Sequence, residues 1–185
     1  MLTQLLGKLV RRPTRQWTEP EIRELLRTKA FDQALAATQA LHPTTPEREL
    51  RQLCLQAEIA FHTHRDDDAQ ALFDQALKRA PGFADAHLGL SLLMQARGDH
   101  QAAFQHAMFA LGNAPANPRY LSQLGLCHIY LGNFPQAEEL LRRALQQAPN
   151  DAAAWNNLGL SLLSRGRLGE ARSCFLNAVK LDPDF

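Results

Sequence analysis

Residues 152–185 read AAAWNNLGLSLLSRGRLGEARSCFLNAVKLDPDF, and this stretch decides the fold. It reads as two amphipathic helices with a turn between them. Gly166 falls where the first helix should end, because a left-handed C-cap is cheapest for glycine. Pro183 falls where the second should end, since proline lacks an N–H and disfavours helix in the residue before it. Working outward toward the N-terminus, the same marks recur on a 34-residue ruler. Pro81, Pro115, Pro149 and Pro183 keep the step, as do Gly98, Gly132 and Gly166. Two alanine columns keep it too: Ala69, Ala103, Ala137 and Ala171, then Ala76, Ala110, Ala144 and Ala178. The alanines are expected where helices cross closely and only a small side chain fits. One such helix pair buries too little surface to stand alone, so stacked neighbours must share a continuous core.

Composition points the same way. The chain has 185 residues, with 32 Leu and 28 Ala against 3 Ile and 2 Val. That balance favours helix over strand. Lys and Arg total 20 and Asp and Glu total 19, so the basic excess that a nucleic-acid wrapper needs is missing. The 3 cysteines, Cys54, Cys127 and Cys174, show no paired spacing. This argues against a disulfide scaffold or a structural zinc site, and makes a reducing cytoplasm the expected compartment. No apolar run reaches the ~20 residues that span a bilayer.

A helix–turn–helix unit with W-x2-L-G, then Ala, Phe, Ala and Pro resembles the tetratricopeptide repeat. Trp155, Leu158, Gly159, Gly166, Ala171, Phe175, Ala178 and Pro183 carry the resemblance in the last unit. It implies an all-α, right-handed α-solenoid of about five repeats, at 15–49, 50–83, 84–117, 118–151 and 152–185. The first is degenerate: Phe31 and Ala34 match its second helix, Pro46 is expected at its end, and Pro20 near an N-terminal turn. Unit 84–117 has Ser91 where the family prefers Gly. Residues 1–14 are expected to cap the first repeat, with Leu2, Leu5, Leu6, Leu9 and Val10 on one side. A basic helix touching a membrane or a partner, or one folded into the groove, are the alternatives. At the other end, the last repeat is expected to expose an apolar face. That face suits self-association, or marks a chain cut from a longer protein.

No phosphate loop, metalloprotease motif or nucleophile elbow is present, so no catalytic residue, cofactor or metal is expected. His62 and His64 with Asp66, Asp67 and Asp68 form the best metal candidate, but an exposed polar turn explains them. Glu138-Glu139 and Arg142-Arg143 read as a solvated helix face. The resemblance instead implies a concave groove lined by the first helix of each unit. Carried over, its lining is Arg51, Cys54, Glu58 and Phe61, then Leu88 and Leu92, then Arg119, Ser122 and Leu126, then Asn156 and Leu160. Asp85, Gln95, Ile129 and Leu163 take the remaining positions. Such a groove suits a peptide or helix with apolar anchors, and the two arginines suit an acidic side chain or terminal carboxylate. The expected function is a non-catalytic protein–protein scaffold. The alternatives are a recruitment domain of a larger enzyme, such as a glycosyl- or sulfotransferase, and a membrane-associated assembly factor.

Overall fold

The computed structural model describes residues 17–183, and the capping segment expected at 1–14 lies outside them. The described chain forms ten helices in five consecutive pairs, with no strand among the described residues. The pairs are α1 (Glu19–Arg27) with α2 (Phe31–Gln39), and α3 (Pro46–His62) with α4 (Asp66–Arg79). Then come α5 (Ala84–Ala96) with α6 (His100–Asn113), α7 (Pro118–Tyr130) with α8 (Phe134–Gln147), and α9 (Ala152–Ser164) with α10 (Leu168–Leu181).

Each pair turns through one left-handed residue, at Lys29, His64, Gly98, Gly132 and Gly166, with φ between 57° and 81°. Several helices start on side-chain caps. Thr45, Asp99 of α6, Asn117 and Asp151 each accept a backbone N–H from the first turn. Thr18 and Glu21 close a capping box around α1, with Pro20 in the first turn. Pro46 departs from expectation. It opens α3 instead of closing α2, which ends earlier, at Gln39. The reason is that Thr45 caps the helix and proline loses nothing at the first helical position.

Consecutive first helices touch one another, α1 to α3, α3 to α5, α5 to α7 and α7 to α9, whereas the second helices pack only on first helices. A curved stack has a shorter inner arc, so the first helices form the inner, concave layer. Buried apolar clusters follow one another between the layers, each joining two neighbouring units. Ala69, Ala103, Ala137 and Ala171 are all essentially fully buried, as are Ala76, Ala110, Ala144 and Ala178. In α9, a Cβ on Gly159 would lie 2.5 Å from Phe175 Cε1, so the helices meet there over a bare backbone. At the same two columns unit three carries Ser91 and Ala107, both buried. The smaller partner leaves room for the Ser91 hydroxyl, which donates to Ala103 O at 2.8 Å and accepts from Gln123 Nε2 at 2.9 Å.

Two features stand outside the shared core. Glu138 does not lie on a solvated face. It is 4% exposed and is gripped by Arg142, Arg165 and Arg167, which ties α8 to the α9–α10 turn. Burial pushes its carboxyl up, but hydrogen bonds from Arg167 and Arg142 outweigh that and hold it below the usual carboxylate range. At the outer end, α9 and α10 expose Leu163, Leu168, Leu176 and Val179 around an apolar cavity of about 350 Å³.

Candidate binding groove

The groove is built on the inner faces of α3, α5, α7 and α9. Its lining positions recur on the 34-residue step, and the structure treats them differently. The ninth position of each unit gives Glu58, Leu92, Leu126 and Leu160. The three leucines form a half-exposed stripe on consecutive first helices; Leu92 is 36% and Leu160 37% exposed. Phe61 is half-buried, and it packs at the edge of the core formed by α3, α4 and α5.

The fifth position does not behave as expected. Cys54, Leu88 and Ser122 are buried, at 1%, 4% and 8% exposure, and offer almost no surface to a ligand. Two of them are covered by neighbouring helices: Leu88 clusters with Ala110 of α6 and Tyr120 of α7, and Cys54 clusters with Leu90 and Leu93 of α5. Asn156, in the last unit, keeps the same position half-exposed. Burial pushes the Cys54 thiol well up, and it raises Cys127 and Cys174 as well.

The end nearest the N-terminus is charged. Arg23 of α1 binds both carboxylate oxygens of Glu58, at 3.0 and 2.9 Å, and also reaches Glu19 at 3.0 Å. Arg51 is held by Glu47 at 2.8 Å and Glu19 at 3.4 Å. Tyr120 donates its hydroxyl to Asp85 at 2.9 Å. Burial raises the Tyr120 hydroxyl pKa, and the adjacent Asp85 raises it further. Arg119 is different. It stands 3.9 Å from Glu58 and 4.0 Å from Asp85, too far to hydrogen-bond either. Arg119 and Glu58 border an open cavity of about 430 Å³ whose other walls are Arg23, Leu26, Arg27, Lys29, Phe31 and His62. His62 stacks on Phe31 with ring centroids 5.8 Å apart.

Arg23, Lys29 and Phe31 were not legible as site residues, because unit one follows the repeat pattern poorly. The available signal was register: Lys29 falls 35 residues before His64, at the turn position of its unit. The His62–Asp68 run is a turn and helix start, in which Asp67 pairs with Arg97 and Asp68 with Arg65. Among the described residues no group of three or more His, Cys, Asp or Glu side chains is placed to hold a metal. No helix among them is long and apolar enough to cross a membrane.

Paired helices on a 34-residue step, left-handed turns and an inner layer of first helices define a helical-repeat scaffold. The chain belongs to the tetratricopeptide repeat family, whose model matches residues 54–118 and 122–184. Human Tetratricopeptide repeat protein 7B is 28% identical over 76% of this chain, which spans 17% of that protein. Human Protein O-mannosyl-transferase TMTC1 is 28% identical over 85% of this chain, which spans 18% of it. The chain thus matches only about a fifth or less of these relatives' length. Among solved structures, the APC/C hetero-tetramer Cut9–Hcn1 superposes with a TM-score of 0.75 at 20% identity, over 88% of this chain and 31% of that one. At that identity the likeness speaks for the fold alone. The family's repeats serve protein–protein interaction and are generally non-catalytic.

Proposed function

We propose that this chain is a non-catalytic scaffold that holds a peptide or amphipathic helix of a partner protein along its concave groove. The observation that carries it is the leucine stripe Leu92, Leu126 and Leu160, half-exposed on the inner layer at 34-residue intervals. Leucines in register on three consecutive first helices match the spaced apolar anchors by which grooves take extended or helical ligands. Arg51, Arg119 and Asn156 edge the stripe and supply polar contacts. The test is affinity capture with wild type and a Leu126→Glu, Leu160→Glu variant of equal thermal stability. Partners kept by wild type and lost by the variant support the groove; equal capture by both moves binding elsewhere.

A second reading has its own observations. The relative TMTC1 is named as a transferase, and 85% of this chain aligns within it. A repeat array recruiting substrates for a larger enzyme is therefore the runner-up. The apolar end face at Leu163, Leu168, Leu176 and Val179 further suits packing against a second copy of this chain.

A further inference from the structure

A cavity of about 480 Å³ lies between α8 and α10, with α9 beneath it, in the outer layer and away from the concave groove. Leu145, Leu158 and Leu162 form its floor and are themselves 7%, 4% and 1% exposed. Trp155 forms one wall. Its indole N–H donates to Pro149 O at 2.8 Å, so the ring is held in place with its donor already used.

The corresponding furrows of the two preceding units are bridged by facing side chains. Trp155 and Cys174 fall on the 34-residue step from Leu121 and Leu140, and those from His87 and His106. Leu121 and Leu140 belong to one buried cluster. His87 and His106 meet with their Nδ1 atoms 3.0 Å apart. In unit five the bridge is missing, because Cys174 is shorter than either leucine or histidine. Gly169 and Ser173 also stand where unit four has Pro135 and Glu139. A Cβ on Gly169 would meet nothing within 4 Å. The opening is therefore a property of this furrow and not of the repeat pattern.

Arg142 and Gln146 of α8 line the mouth with Glu170 and Ser173 of α10. Arg142 binds Glu138 and stands 3.8 Å from Glu170, so the mouth offers no uncompensated charge. Two neutral polar groups remain for a ligand. The Ser173 hydroxyl donates to Gly169 O at 3.1 Å and keeps its oxygen lone pairs. Gln146 makes no side-chain hydrogen bond among the described residues, and its amide supplies both a donor and an acceptor.

We infer that this cavity binds a small neutral aromatic compound with one hydrogen-bonding group, of the phenol class. An apolar floor with a few polar groups at the mouth is the make-up of small-molecule sites, whose volumes run from about 300 to 1,000 Å³. The ligand's ring packs on Trp155 and the leucine floor, and its hydroxyl bonds to Gln146 or Ser173. An anion is repelled by Glu170 and a cation by Arg142, so the neutral form is favoured. The site goes beyond the groove reading, and either stands if the other fails.

Titration of p-cresol into the full chain, followed by heteronuclear NMR, tests this. The chain has 2 tryptophans, Trp155 in the cavity wall and Trp17 in unit one, so one indole N–H reports the site and the other is a control. The expected result is a saturable shift of the Trp155 signal, with a Kd of about 1 mM or below, and an unmoved Trp17. Cys174→Leu supplies the residue that stands at Leu72 and Leu140, and Gly169→Gln the residue that stands at Gln101. Both variants should stay folded and bind roughly tenfold more weakly. If Cys174→Leu does not fold, Gly169→Gln alone decides. The charged rings p-toluate and p-methylbenzylamine should bind more weakly than p-cresol. No saturable shift at Trp155, or an equal shift at Trp17, overturns the site. So does undiminished binding by the folded variants. Tighter binding of either charged ring overturns the ligand class.

Discussion

His64 occupies the turn position that Gly98, Gly132 and Gly166 fill in the later units, and it sits at φ 59°. A side chain in that region is strained, and glycine is not. His64→Gly should raise the unfolding free energy by about 0.5–1 kcal/mol, and Gly132→Ala should lower it by a similar amount. Urea melts of both variants check this. A second residue-scale effect is titration. His87 Nε2 lies 2.9 Å from Pro81 O, a pure acceptor, so that nitrogen carries its proton. Neutral His87 then presents a bare Nδ1, which accepts from His106 Nδ1–H at 3.0 Å. Burial first, and then the neighbouring His87, lower the pKa of His106. Unfolded histidine binds the proton more readily, so acidification favours unfolding. This contribution to stability should be complete above the ordinary histidine value of about 6.5 and lost as pH falls below it. Melting curves from pH 8 to pH 5 should show a smaller loss for His106→Gln than for wild type.

At the scale of elements, the repeat marks forecast the helix crossings, because each column answers a demand of one helix pair on itself. Ala137 is completely buried at such a crossing, and Ala137→Leu should cost about 1–3 kcal/mol by overpacking. Ala171 borders the open end cavity, so Ala171→Leu should cost less. What the sequence hid depends on contacts between units. Glu138 and Glu139 look alike in the chain, yet Glu138 is buried under three arginines and Glu139 is exposed. Arg165 and Arg167 come from the next unit, so no local pattern announces the cluster. Glu138→Gln should cost about 1–3 kcal/mol, and Glu139→Gln no more than about 0.5, by chemical denaturation. Likewise, the burial of Cys54 and Leu88 follows from the helices of the next units packed on them, which a family position number does not encode.

At the scale of the whole molecule, the described residues present two surfaces of different character. The concave side runs from the charged end at Glu58 and Arg119 to the leucines of α5, α7 and α9. The outer end exposes Leu168 at 65%, Leu176 at 60% and Val179 at 51%. Sedimentation at rising concentration should show association of wild type, and a Leu176→Glu, Val179→Glu variant should remain monomeric. A monomeric wild type throughout would remove the end face as a self-association surface. The more telling question is which side holds the partner. Benzoylphenylalanine placed at position 126, on the inner layer, and at position 109, where Phe109 is 60% exposed on α6, gives a direct answer by photo-crosslinking to captured partner. The expected result is a crosslink from position 126 and none from position 109. A crosslink from position 109 alone would contradict the concave groove as the binding site.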